Sequence, residues 1–253
     1  MLHEANVVQV RAGNLTMMMK LEDLEAEREI APNASLPLPT TEICERYEQL
    51  FTAAVNDALR EHKLLHQALP HAIIPLRDSM KAAGFAFTIK GAKNLTLKNK
   101  MAQRAKMLDA IEENSFIVWD TSLDREAAHW GECMTMAAQR KHCRGAAVDG
   151  GVRDTDRILQ LGFPLWIRYR SSNGMLGRFR ISSWQTPIQM GGVVVNPGDL
   201  IFADIDGALC VPRLLAVPVL ERAEEIAHGE SILKKWINEG MSAGEIVKRG
   251  GYF

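Results

Sequence analysis

Apolar positions along this chain fall into two rhythms. From Thr40 onward, Cys44, Tyr47, Leu50, Phe51, Ala54, Val55 and Ala58 recur every three to four residues, which predicts one buried helical face with Thr40 or Thr41 as its cap. Phe85 to Ile89, after Gly84, is a short β-type run. Met101 to Glu113 predicts a helix with Met101, Ala105, Leu108 and Ile111 turned inward. Phe116 to Trp119 is a buried strand ending at Asp120. Gly131 to Arg140 is then helical, Gly145 to Val148 a strand, Asp154 to Leu161 a helix and Pro164 to Ile167 a strand. Single strands alternating with helices predict an α/β architecture with parallel pairing.

The pattern changes after that. Phe179 to Trp184, Ile188 to Val195 and Leu200 to Val211 are separated or interrupted by Gly191-Gly192, Pro197-Gly198 and Asp206-Gly207. Those are hairpin turn signals, and they predict an antiparallel meander. Residues 216–239 form an amphipathic helix ended by Gly240, and Ser242 caps a last short helix reaching Lys248. Residues 1–40 differ from the rest, with Met17, Met18 and Met19 together, a Glu-dense stretch from Leu21 to Ile30, then Pro32, Pro37 and Pro39. They read as an appended arm, one short amphipathic helix and a proline-rich linker, or equally as residues upstream of a start at Met17.

Composition narrows the class. The 253 residues carry 30 Lys+Arg against 31 Asp+Glu, a formal charge of −1, so a general polyanion-binding surface is not the default and no nucleic-acid partner is expected. Hydrophobic residues at 47% suit a packed globular core rather than a disordered chain. The most apolar stretch, Leu209 to Leu220, is broken by Pro212, Arg213 and Pro218, so no membrane span is expected. The N-terminus lacks an uninterrupted apolar signal region, because His3, Glu4 and Arg11 intervene. Cys44, Cys133, Cys143 and Cys210 form no CxxC pair, which favours a reduced, cytoplasmic setting.

The densest polar cluster beside the expected strand ends is Gly131-Glu132-Cys133-Met134 with Asp149-Gly150-Gly151-Val152-Arg153-Asp154. In α/β sheets ligands gather where strand C-termini meet helix N-termini, because free N–H groups and the helix dipole attract anions. Arg153 suits bidentate capture of a carboxylate or enolate oxygen. Asp154, with Glu132 or water, is a hard oxygen donor appropriate to Mg²⁺ or Mn²⁺. The same residues equally suit a plain strand-to-helix turn with positive φ at its glycines and Asp154 as an ordinary cap. Their glycines match neither GxGxxG nor a Walker loop.

These residues also carry a resemblance. Trp130-Gly131-Glu132, Ala137-Ala138, Val148-Asp149-Gly150-Gly151-Val152-Arg153-Asp154 and Leu161-Gly162-Phe163-Pro164 follow one another in an order seen in one family. Gly191-Gly192-Val193, Pro197-Gly198-Asp199-Leu200 and Ala203-Asp204-Ile205-Asp206-Gly207 continue it. From about residue 45 to 253 the chain resembles the 4-hydroxy-4-methyl-2-oxoglutarate / 4-carboxy-4-hydroxy-2-oxoadipate aldolases, a family shared with the regulator of ribonuclease activity A.

The resemblance implies a layered α/β/β/α sandwich of the swivelling β/β/α type with flanking N- and C-terminal helices. It implies assembly as a trimer or hexamer with sites between subunits. The chain is expected to divide into an arm (1–40), a catalytic α/β domain (41–215) and C-terminal helices (216–253) packing on that domain or on a neighbouring subunit. The implied activity is metal-dependent cleavage of a 4-hydroxy-2-oxo acid, or decarboxylation of oxaloacetate, to pyruvate through its enolate. The family's signature is an acidic residue, twenty intervening residues and Arg-Asp, which falls here on Glu132, Arg153 and Asp154. By resemblance Arg153 holds the pyruvate moiety and Asp154 binds Mg²⁺ or Mn²⁺. The substrate carboxylate meets Gly131 and the amides of Cys133 and Met134, and Glu132 is catalytic. Aldolases of this family carry Asp where this chain has Glu132. A glutamate from a neighbouring subunit's C-terminal helix is a further family feature, for which Glu230 is the best placed, ahead of Glu224 and Glu225. The regulator branch, which acts through protein contacts, lacks the aspartate after the arginine.

Other residues carry weaker expectations. Arg168, Arg170, Arg178 and Arg180 flank Ser171-Ser172-Asn173-Gly174 and read either as a solvated basic loop or as a reach toward a distal carboxylate. His129 and His142 read as satisfied structural groups, Cys133 as no nucleophile, and Asp204 and Asp206 as a structural hairpin turn.

Overall fold

The computed structural model describes residues 9–12, 15–18 and 34–251. β1 (Gln9–Ala12) and β2 (Leu15–Met18) pair antiparallel as a two-stranded ribbon. The expected amphipathic helix between Leu21 and Ile30 lies outside the described residues.

The first helical face is two helices rather than one, α1 (Thr40–Glu48) and α2 (Thr52–Glu61). Phe51 is extended between them and offers α2 no side-chain cap. A carboxylate from far along the chain does that work. Asp204 accepts from the Thr52 amide and the Thr52 hydroxyl, both at 2.8 Å, and so starts a second helix where local periodicity runs straight on.

β3 (Ile74–Pro75) and the long β4 (Ala82–Lys93) lead to α3 (Lys100–Asp109), β5 (Ser115–Asp120) and the short β6 (Ala128–Trp130). The inward face of α3 differs from the expected one: Met101 and Ala105 are exposed, whereas Lys100 and Met107 are buried. Asn99, in the left-handed region, sets the helix's rotation, and Lys100 Nζ donates to the carbonyls of Asn94 and Phe179 at 2.9 and 3.2 Å.

α4 (Glu132–Arg140), β7 (Gly145–Val152), α5 (Thr155–Leu161) and β8 (Leu165–Arg170) complete the α/β half. Asp149-Gly150-Gly151 is therefore strand, not turn. Gly151 pairs with Tyr169 of β8 on one side and Ala128 of β6 on the other, while Asp149 and Gly150 fall in a register irregularity against β8. Neither glycine has positive φ. A Cβ on Gly150 would lie 2.5 Å from His129 Nδ1, and one on Gly151 2.4 Å from the Tyr169 ring, so both are there for close approach.

β9 (Phe179–Trp184), β10 (Ile188–Met190), β11 (Val193–Val195), β12 (Leu200–Asp204) and β13 (Gly207–Val211) follow. They do not form one meander. β10 and β11 are a separate hairpin, while β12–β13 and β9 both return to β4. The twelve residues of β4 make this possible: its first half pairs with β12 and its second half with β9, across a bulge at Lys90/Gly91.

The main sheet runs β13-β12-β4-β5-β7-β8-β3, with β4, β5, β7 and β8 parallel. It is nearly closed. One segment touches both edges: Gln67 and Leu69 bond Cys210 and Ala208 of β13, and a few residues later β3 pairs with β8. Alternation along β12 divides the core. Ile201 and Ala203 face the interior with Trp119, Trp130, Phe163 and Trp166, whereas Leu200 and Phe202 face α1, α2 and the first half of α6 (Ala216–Asn238). The second half of α6 is largely exposed, and α7 (Ala243–Lys248) ends the description with the expected Ser242 capping box. The result is mixed α/β, a nearly closed sheet with flanking helices. Among the described residues no helix is long and apolar enough to cross a membrane.

Candidate active site

β6 and β7 end side by side and each opens a helix, which brings the two polar segments together. Arg153 N–H donates to the Trp130 carbonyl at 3.1 Å, tying the end of β7 to the end of β6. Ala128 N–H donates to Asn173 O at 2.6 Å and fixes the following loop beside them. Between these pieces and α3 lies a cleft of about 230 Å³. Around it stand Arg104, Gly131, Cys133, Met134, Arg153 and Asp154, with His129, Trp130, Met101, Met175 and Leu176 among the less polar walls.

Two glycines shape the path of Arg153. A Cβ on Gly131 would lie 3.3 Å from Arg153 Cγ and 2.8 Å from Asp154 Oδ2, and one on Gly174 2.9 Å from Arg153 Nη1. Arg153 Nε is 3.5 Å from Asp154 Oδ2, a loose pair that leaves both groups free to take ligands. Asp154 is left-handed at φ 58°, a region that Asp and Asn tolerate better than most residues, and it precedes α5 without capping it through its side chain. Its Oδ2 instead faces the amide of Glu132 at 3.4 Å. The amides of Cys133 and Met134, in the first turn of α4, have no acceptor among the described residues.

Glu132 points elsewhere. Its carboxylate pairs with Arg157 Nη1 at 3.0 Å, and it is not among the residues around the cleft. Glu230 is on the exposed part of α6, 3.0 Å from Lys234, and lines a different groove with Trp236 and Arg249. Glu224 pairs with Arg46 at 2.7 Å and Glu225 with Arg222. The loop arginines are also accounted for: Arg168 is bound to buried Asp149, Arg178 to the Gly174 carbonyl and Arg180 to Gln103, while Arg170 lines a shallow groove behind Arg153.

His129 is buried, 3.1 Å from Asp124 and edge-on to Phe179. Burial is the larger influence and pushes it down to about 4 against the pull of Asp124, so it is neutral near pH 7. His142 is exposed and remote from the cleft.

Arg104 escaped the sequence reading. It is partly buried at the cleft, and its Nε and Nη2 are shielded from solvent with no hydrogen-bond partner. Burial, then the nearby Arg153 charge, hold its guanidinium below the ordinary value, and no carboxylate opposes them. The signal was present: Arg104 is three residues after Met101 and four before Leu108, on the face expected to turn inward.

Donor chemistry decides what the cleft accepts. Two guanidiniums and two free amides suit a small anion. Among the described residues no group of three metal-ligating side chains occurs, so an all-protein metal cage has no support. A single accessible carboxylate, Asp154, fits the Mg²⁺ pattern of one protein oxygen supplemented by water and substrate. Fold and site together define a mixed α/β protein with a small cleft, lined by two arginines and one aspartate, where parallel strands end.

The chain belongs to the RraA-like family (Aldolase/RraA), whose model matches residues 52–210. It is similar to the protein DlpA of Legionella pneumophila, 30% identical over 171 residues, which cover 68% of this chain but only 28% of DlpA. It is 27% identical over 175 residues to a Halalkalibacterium halodurans protein named "Putative 4-hydroxy-4-methyl-2-oxoglutarate aldolase", covering 69% of this chain and 80% of that one. Among solved structures, one described as novel cellulases from microbes associated with the gut ecosystem superposes with a TM-score of 0.81 at 49% identity, over 84% of this chain and 96% of the other.

Proposed function

We propose that this protein is a divalent-metal-dependent lyase that releases pyruvate from a 4-hydroxy-2-oxo acid, or from oxaloacetate by decarboxylation. One observation carries the reading: Arg153, Asp154 and the free amides of Cys133 and Met134 converge on one small cleft. In it the amides receive the substrate's C1 carboxylate, and Arg153 donates to the 2-oxo oxygen. As the C3–C4 bond breaks, its electron pair forms the pyruvate enolate, and negative charge grows on the oxygen that Arg153 already faces. Asp154 would hold Mg²⁺ or Mn²⁺, which supplies further positive charge at that oxygen. Both reactions leave the same enolate, so one site serves both. Deprotonation of the 4-hydroxyl needs a base, and Glu132 serves once its carboxylate leaves Arg157, the proton then passing to C3 of the enolate to give pyruvate (in decarboxylation that proton comes from water), with Glu230 of the partner subunit completing the site in a trimer or hexamer.

The regulator branch of the family needs protein contacts and no such cleft, and Asp154 after Arg153 favours the enzyme. Glycoside hydrolysis, the activity in the description of the similar structure, takes a facing pair of carboxylates. Here Asp154 is the one carboxylate among the described residues around the cleft. Pyruvate release from oxaloacetate and 4-hydroxy-4-methyl-2-oxoglutarate, with Mg²⁺ or Mn²⁺ and again with EDTA, tests the proposal. Arg153→Ala and Asp154→Ala are each expected to lose about 10²–10³-fold in turnover. Turnover unchanged in both variants, or no metal-dependent pyruvate from the folded oligomer, overturns it.

A further inference from the structure

Arg104 stands at the cleft with two donors, Nε and Nη2, buried and without an acceptor. Those two atoms form one edge of the guanidinium, the edge that meets both oxygens of a carboxylate side-on; they are closed to water in this structure, so the side chain must turn that edge to the cleft to meet a ligand. The two adjacent cations do not compete for a ligand. Lys100 is committed to the carbonyls of Asn94 and Phe179, and Arg180 to Gln103. A buried polar group without a partner is an exception that calls for one. Arg153, the other guanidinium at the cleft, is assigned to the 2-oxo end of the substrate, so what reaches Arg104 is the substrate's other end. Met101, Met134, Met175 and Leu176 line the cleft and suit the short apolar link between the two ends.

We propose that Arg104 is the specificity-determining residue of this cleft, receiving the second carboxylate of a 2-oxo dicarboxylic acid whose first end is held by Arg153 and the α4 amides. This rests on the lyase reading for the identity of the first end, but its own test does not need turnover. At 230 Å³ the cleft is smaller than the roughly 300–1,000 Å³ of drug-sized sites, in keeping with an acid of a few carbons. A carboxylate arriving at Arg104 is held in a site poor in water, where loss of one partner weakens binding about 30-fold or more.

The experiment is calorimetric binding to the full chain, with Mg²⁺ present, of 2-oxoglutarate and 2-oxobutanoate, which differ in the second carboxylate and cannot undergo the aldol cleavage. The wild type is expected to prefer 2-oxoglutarate by about 30-fold or more, and Arg104→Met to reduce that ratio to within about threefold, with Arg104→Lys between them. Arg104→Gln replaces the Met variant if that one does not fold, circular dichroism being the check. A wild-type ratio near one, a ratio unchanged in the variant, or no binding of either acid overturns the assignment. Cleavage of 4-hydroxy-2-oxoglutarate against 4-hydroxy-2-oxopentanoate separates the two claims. Absent pyruvate with a surviving binding preference sinks the lyase reading alone, and pyruvate from both at equal rates sinks Arg104 alone.

Discussion

Gly131→Ala tests the positioning of Asp154 without removing any charge. The backbone at residue 131 is extended, φ −164° and ψ −177°, so alanine adopts it without strain. Its Cβ would lie 2.8 Å from Asp154 Oδ2, about 0.6 Å inside the 3.4 Å at which ordinary contact begins, while Arg153 Cγ at 3.3 Å is almost undisturbed. Asp154 is 38% exposed and free to yield, so the carboxylate moves by about that distance instead of the helix. Misplacement of a reacting group by about 1 Å costs about 10²-fold, so this shift is expected to lower kcat/KM by about 10- to 100-fold, or about 1.4–2.7 kcal/mol in the barrier. Folding is nearly indifferent. Alanine is a poorer N-cap than glycine but restricts the unfolded chain, and the net change stays within about 1 kcal/mol. Pyruvate release coupled to NADH oxidation by lactate dehydrogenase reads the first quantity and urea unfolding the second. A folded Gly131→Ala protein working within twofold of wild type would refute the claim that this contact places the carboxylate.

Gly150→Ala is expected to destabilise by about 1–3 kcal/mol, because its Cβ meets the enclosed His129 ring at 2.5 Å; a shift in urea midpoint checks it, and no shift would mean the ring moves freely. Asp204→Ala leaves the Thr52 amide and hydroxyl without their acceptor at the start of α2 and is expected to lose about 1–3 kcal/mol by the same measurement. His129 binds its proton near pH 6.5 unfolded but only near 4 folded. The unfolded state therefore holds more protons in between, and stability is full above about pH 6.5 and falls toward pH 4. The loss between pH 6.5 and 5 is about 2 kcal/mol. Urea midpoints over that range are expected to flatten in His129→Gln, and an equal slope in both proteins would remove His129 as the cause.

Local signals carried much of this reading and long-range ones did not. Gly131, Cys133, Met134, Arg153 and Asp154 surround one cleft as their motifs implied, because each sits within two residues of a strand or helix end that apolar periodicity already marks. Gly150-Gly151 belongs to a strand although a glycine pair signals a turn by default, and only the close approach of the His129 and Tyr169 rings explains why glycine stands there. The break at residues 49–51 depends on Asp204, some 150 residues away, which no window of local periodicity includes. Three-residue β6 is too short to show a period at all. Arg104 is not marked by apolar periodicity, because a charged residue on the inner face of α3 adds nothing to a hydrophobic pattern.

Charge balance separates the cleft from the rest of the molecule. The partly buried arginines 46, 144 and 168 each face a carboxylate, in Glu224, Glu48 and Asp149. At the cleft Arg153 faces one loosely held aspartate, and Arg104 faces no carboxylate at all. Concentrated positive charge of this kind destabilises the free protein, since each guanidinium raises the energy of the other and burial deprives Arg104 of water. On the proposed lyase reading a small 2-oxo dicarboxylic acid would answer both guanidiniums, its distal carboxylate meeting Arg104 and its 2-oxo oxygen, which gains negative charge as the bond breaks, meeting Arg153. On that reading the unopposed positive charge would be relieved most completely where the developing negative charge is greatest, which is the condition for speeding a reaction rather than merely binding its substrate.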